Sequence, residues 1–105
     1  MKRMYLTDVS QAWFDYDQAR VFDEDLESNG SNFISVATGS EFKHECLYRS
    51  KAGAWIKHCW SQWQGDLGNI FRITLEDAVL WLSQNGYEKE AKEYDDCGIL
   101  KSYEI

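Results

Sequence analysis

Two histidines and two cysteines near the middle of the chain, His44, Cys46, His58 and Cys59, are the first residues to weigh for chemistry. Two imidazoles with two thiolates make a tetrahedral zinc donor set, and a cysteine beside a histidine is the pairing that generates a thiolate nucleophile. Both stretches that carry them, FKHECLYRS at 42–50 and AWIKHCWSQW at 54–63, have the period of strands. Successive side chains on a strand face opposite ways, so His44 and Cys46 share a face while His58 and Cys59 oppose each other. The four do not converge without a bulge, and the expectation is a half-buried histidine with core thiols. Neither ring has a recognisable neighbour to orient it as a nucleophile's base or as a general acid or base. Gly65 and Gly68 in QGDLGN open no helix and precede no Lys-Ser/Thr pair, so they read as turn residues and not as a phosphate cradle. No cofactor and no metal is expected.

Carboxylates form the second group. Asp15, Asp17, Asp23, Glu24, Asp25 and Glu27 crowd one segment, and Glu76, Asp77, Glu88, Glu90, Glu93, Asp95 and Asp96 crowd another. The formal net charge is −7, distributed as −4 over residues 1–30, +2 over 31–75 and −5 over 76–105. A solvated, solubilising surface is one reading of such segments. The other is a partner-directed negative surface, because carboxylates spaced along a helix imitate a row of phosphates and attract the Lys/Arg groove of a nucleic-acid-binding machine.

The elements that must position these groups follow from periodicity and punctuation. MYLTDV suggests a short strand near the N-terminus. Ala19, Phe22 and Leu26 recur at helical spacing and Asn29-Gly30 supplies a stop, which predicts a helix over 16–28 presenting Asp17, Asp23, Glu24, Asp25 and Glu27 on its outer face. NFISVAT, FKHECLYRS, AWIKHCWSQW and IFRIT then predict a four-stranded antiparallel meander, with Gly39-Ser40, SKAG and QGDLGN as its turns. Thr74, with Asp77 three residues on, is a capping-box start for LEDAVLWLSQNG, whose apolar stripe is Leu75, Ala78, Val79 and Leu82. Asn85-Gly86 ends that helix, and YEKEAKEYDD forms a shorter one with Tyr87, Ala91 and Tyr94 on one face. The fold class expected is α+β, a four- or five-stranded antiparallel sheet with two to three helices packed on one face.

Composition bounds the rest. A chain of 105 residues, 44% hydrophobic and 15% aromatic, builds one core and one domain over residues 1–105. Three of its five tryptophans, Trp55, Trp60 and Trp63, fall within nine residues, with Trp55 and Trp63 expected on one face and Trp60 on the other. Aromatics near Lys43, Arg49, Lys57 and Arg72 have the composition of a base-stacking platform, but the net acidity opposes direct nucleic-acid binding. Cysteines at 46, 59 and 97 form no C-x-x-C pair, and with no secretory signal read at the start the expectation is a reducing cytoplasm. No apolar run approaches the roughly 20 residues of a membrane-spanning helix. There is no proline, no internal repeat and no low-complexity tract.

From Phe33 to Tyr87 the chain resembles a set of short uncharacterised prokaryotic proteins. SVATG at 35–39, LYR at 47–49, GAW at 53–55, WSQWQG at 60–65 and DAVLWLSQNGY at 77–87 carry the resemblance, which covers about half the chain and implies the hairpin-plus-helix core. By size, acidity and want of enzyme motifs the chain is also similar, as a class, to anti-CRISPR and other anti-defence proteins of phages and plasmids. The expectation is a non-enzymatic inhibitor that docks Asp15, Asp17, Asp23, Glu24, Asp25, Glu27, Glu88, Glu90, Glu93, Asp95 and Asp96 into the basic groove of a host nucleic-acid-binding complex. The alternative is a small interaction or regulatory module that binds a protein through Trp60 and the tryptophan-bearing sheet face. Either way the partner is a protein, the membrane is not involved, and the chain is a monomer or a homodimer.

Overall fold

The computed structural model describes residues 2–28, 30–62 and 68–105. Among the described residues eight strands and three helices make an α+β fold: β1 (Arg3–Tyr5), β2 (Trp13–Asp15), β3 (Arg20–Asp23), β4 (Leu26–Ser28), β5 (Phe33–Ser35), β6 (Lys43–Arg49), β7 (Trp55–Ser61), β8 (Asn69–Ile73), α1 (Leu75–Gln84), α2 (Glu88–Tyr94) and α3 (Ile99–Ser102). The main sheet is antiparallel with four strands in the order β3-β6-β7-β8, and two-stranded sheets β1-β2 and β4-β5 lie beside it.

The meander expected from the sequence is present over β6, β7 and β8, but its fourth place is filled differently. β5 pairs with β4, and β3 takes the edge beside β6, with Phe22 opposite Leu47 and Asp23 opposite Cys46. The helix predicted over 16–28 is therefore two short strands. Of its supposed stripe only Phe22 is buried, while Leu26 stands exposed. Asp23 and Glu27 would have been like-charged neighbours at i and i+4, and aspartate is a poor helix former, so local preference for the helix was weak. Pairing with β6 satisfies a row of backbone groups and buries Phe22, two gains that the isolated helix lacked. NFISVAT is shortened for a related reason: Ser35 is fully buried, its Oγ accepts from Thr38 N (3.2 Å) and its carbonyl from Gly39 N (2.8 Å), turning the chain after three strand residues. Gly39 takes φ +70°, a left-handed conformation that glycine adopts without strain.

The helical half follows its sequence signals. Thr74 Oγ1 accepts from Asp77 N at 3.1 Å and starts α1. Asn85 and Gly86 (φ +87°) end it, and Tyr87 N returns to Leu82 O at 2.9 Å in a Schellman closure. Ala78, Val79, Trp81 and Leu82 of α1 and Ala91 of α2 are buried against Phe22, Leu47 and Trp55, with Tyr87 and Tyr94 packed at the margin. Trp55 meets Tyr94 edge-on at 5.0 Å between ring centroids, the arrangement favoured by aromatic quadrupoles. On the opposite sheet face, Tyr48 and Ile56 are covered by the β1-β2 hairpin, whose Phe14 ring lies 5.2 Å from that of Tyr48. Trp63, Gly65 and Asn29, to which the sequence assigned a sheet face, a turn and a helix stop, lie outside the described residues.

Because Phe22 is 2% exposed and neighbouring Val21 is 50% exposed, the two positions separate the strand from the helix. Phe22→Ala is expected to cost about 3–5 kcal/mol in urea unfolding, whereas Val21→Ala should stay within about 0.5 kcal/mol. Similar losses at both positions would contradict the β3 pairing.

Candidate functional site

The two-residue link between β3 and β4 carries a carboxylate into the structure. Glu24, with its side chain 8% exposed, bonds His44 Nδ1 through Oε2 at 2.7 Å and accepts from the backbone N–H of Glu45 through Oε1. The other ring nitrogen of His44 lies 2.9 Å from Gln62 Nε2. A neutral imidazole protonated on Nδ1 satisfies both partners: it donates to Glu24 and accepts from the Gln62 amide. The ring is thus oriented, which the sequence did not reveal. Trp60 lies over the same face, 5.8 Å from His44 and 4.9 Å from His58 between centroids, so it is a half-buried ring between two imidazoles and not a protruding anchor.

Strand alternation sets His58 and Cys59 on opposite faces as expected, and the β6-β7 register then separates the two thiols. Cys46 shares the face of His44 and His58, whereas Cys59 lies on the helix side, where its Sγ donates to Glu45 Oε2 at 3.5 Å. Burial pushes the Cys46 thiol up from near 9 to about 11, with Asp23, Glu24 and Glu45 adding to the rise. Burial also pushes Cys59 up to about 12, reinforced by the Glu45 charge and hydrogen bond. Thiols held this far from ionisation are poor nucleophiles and poor metal ligands at neutral pH. Among the described residues no group of three or more His, Cys, Asp or Glu side chains is placed to hold a metal ion. Glu45 itself serves the fold: Oε1 accepts from Trp81 Nε1 at 3.0 Å and lies 3.8 Å from Lys57 Nζ, tying α1 to the sheet. Its alternation with Leu47 was legible, because a carboxylate on a core-facing position requires donors.

The acidic residues divide by position. The corner between β3 and β4 is fastened to the corner between α1 and α2: Asp25 N donates to the buried Asn85 Oδ1 at 3.1 Å, and Tyr87 Oη donates to Asp23 O at 2.9 Å. Asp23 and Asp25 are thereby held at the corner between α1 and α2, from sixty or more residues away in sequence. Burial raises the Tyr87 phenol above its ordinary value near 10, and the charges of Asp23, Glu90 and Asp25 raise it further. Glu27, Glu88 and Glu93 are exposed on the same two segments, β4 and α2, and like Asp23 and Asp25 they enter no ion pair among the described residues.

Other predicted residues have local duties. Glu90 pairs with Arg20 at 3.8 Å. Asp95 accepts from Ile99 N (2.6 Å) and Leu100 N (2.9 Å), capping α3. Asp15 accepts from the N–H groups of Lys2 and Asp17 at 3.2 and 3.0 Å, and Asp15 and Asp17 share a shallow cleft with Trp13 and Lys51. Asp96 is exposed beside Tyr94. Glu24 stands apart from all of them, since the sequence placed it on an exposed helical face and the structure buries it against His44.

Removing a buried carboxylate that holds an imidazole and a backbone amide leaves both donors unpaired. Glu24→Ala is expected to destabilise the fold by about 2–4 kcal/mol, with a coupling to His44→Ala of about 1–2 kcal/mol in a double-mutant cycle. Additive losses would show that the two side chains do not interact. For the cysteines, folded values above the unfolded ones make the native state hold its protons more tightly. Their stabilisation is complete below about pH 9 and is lost as pH rises through about 11 to 12. Thiol labelling near neutral pH should accordingly modify the exposed Cys97 in the native state and reach Cys46 and Cys59 only on unfolding. No protein-family model matches the chain, and neither does any curated protein or solved structure.

Proposed function

We propose that this chain is a non-enzymatic binding protein of the anti-defence kind, whose acidic face occupies the basic nucleic-acid-binding groove of a host complex. One observation carries the reading: the fold joins the N-terminal and C-terminal acidic segments, through Tyr87 Oη on Asp23 O (2.9 Å), Asp25 N on Asn85 Oδ1 (3.1 Å) and Arg20 beside Glu90 (3.8 Å). Exposed carboxylates on adjoining segments, left without cationic partners of their own, keep their field for an incoming surface. Such a field steers association and selects a positively charged partner more than it supplies affinity. The buried, high-pKa thiols and the Gln62 amide seated on His44 support a binding role over a catalytic one.

Reversing Asp23, Glu27, Glu88 and Glu93 to lysine tests the face without touching its internal hydrogen bonds. Tagged wild-type protein should retain a nucleic-acid-processing complex from bacterial lysate at low salt, release it at high salt and release it to added duplex DNA. The reversed variant should bind that purified complex at least about tenfold more weakly, with a reduced salt dependence. Equal binding by wild-type and reversed proteins, or a complex that DNA does not displace, would sink the proposal.

A further inference from the structure

At the edge of the sheet opposite Asp23 the charge is of the other sign. β8 is the last strand of its sheet, and its register with β7 sets which backbone groups turn outward. Ile70 faces out, because its N–H donates to Thr7 Oγ1 (2.9 Å) and its carbonyl accepts from Thr7 N (2.7 Å) and Thr7 Oγ1 (3.0 Å). The antiparallel repeat of two then turns Arg72 outward as well, and its N–H and C=O have no hydrogen-bond partner among the described residues. The chain has thus recruited one extended residue to this edge and left the next position open.

The open position borders a groove of about 790 Å³, with Trp55, Ile73 and Tyr94 for apolar walls and Arg49 for a cation, while Arg72, paired with Ile56, presents its exposed side chain on the other face of the strand. Arg49 is held there by its surroundings: its Cζ lies 5.7 Å from the Trp55 centroid and 5.0 Å from the Tyr94 centroid. Gly53, at φ +90°, makes room for it, since a Cβ there would come within 3.3 Å of Nη2. In a chain with 18 carboxylates, neither Arg49 nor Arg72 enters an ion pair among the described residues, and Arg49 Nε is buried with no hydrogen-bond partner. Asp77 and Asp96 also line the groove, so it takes apolar side chains and repels a polyacid, and one carboxylate is favoured on the other face, opposite the exposed Arg72.

We infer that the β8 edge docks an extended segment of a partner protein carrying a single carboxylate between β-branched residues, which adds as a fifth strand beside Arg72. Backbone pairing supplies affinity in this mode and side-chain pockets supply selectivity. A second copy of this chain is disfavoured as the occupant, because β8 against β8 would bring two Arg72 side chains onto one strand pair. This surface and the acidic face lie at opposite edges of the sheet, so each stands or fails without the other.

The test is a titration of the ¹⁵N-labelled full chain with three blocked peptides of alternating valine and threonine whose central residue is glutamate, glutamine or lysine. The glutamate peptide should bind about tenfold more tightly than the lysine peptide, with shifts confined to β8, Thr74 and Arg49 and slowed exchange of the Arg72 amide. Arg72→Glu, at an exposed position, should invert that order while leaving the β6-β7 amides unmoved, and the Lys variants of the acidic face should bind as wild type does. Equal affinity for all three peptides, shifts elsewhere on the surface, or no binding at millimolar peptide would each overturn the inference.

Discussion

The pairing of Arg20–Asp23 with Arg49–Cys46 is the constraint on which the rest of the molecule depends. It sets Phe22 against Leu47 under the helices and leaves Asp23 on the surface. It also delivers Glu24 to His44 and Asp25 to Asn85. Without that edge, β6 would expose a row of unpaired backbone groups, and the core would lose a buried aromatic ring. Such losses are several times larger than anything a short acidic helix would recover from its own propensity.

The polar interior follows from the same placement. Glu24, Glu45 and Asn85 each enter the structure because a neighbour in sequence is needed in the core, and each is then matched to donors or acceptors. Glu45 holds Trp81 and lies near Lys57, while Asn85 spans the Trp81 carbonyl (2.8 Å) and the Asp25 amide. Paired polar groups of this kind contribute modest net stability but a large penalty against alternative arrangements, since any register that separates them strands a buried charge or amide. Burial, with the charges of Glu24 and Glu45 added to it, keeps the neighbouring thiols protonated.

Charge is sorted across the sheet by the same logic. The β3 edge carries Asp23 and adjoins the acidic faces of β4 and α2, and the β8 edge carries Arg72 with Arg49 in the groove behind it. Surfaces of opposite sign thus lie at the two edges of one sheet. No helix among the described residues is long and apolar enough to cross a membrane.

Much of this was legible in the residues themselves. Thr74 with Asp77, Asn85-Gly86 and the faces of α1 and α2 were readable because capping and helical periodicity are local, and the β6-β7 hairpin was readable because alternation and the SKAG turn are local too. The opposition of His58 and Cys59 followed from strand geometry alone, whereas the β6-β7 register decided which of them joins His44 and Cys46. The fate of residues 16–28 did not follow, because Ala19, Phe22 and Leu26 fit a helix as well as Phe22 fits a strand, and only the vacancy beside β6 breaks the tie. The Glu24–His44 pair, the fastening of Asp23 to Tyr87 and of Asp25 to Asn85, and the groove at β8 were equally out of reach. Each joins segments distant in the chain, and such contacts are decided by packing and backbone pairing across the whole fold, not by any preference a short stretch of sequence expresses.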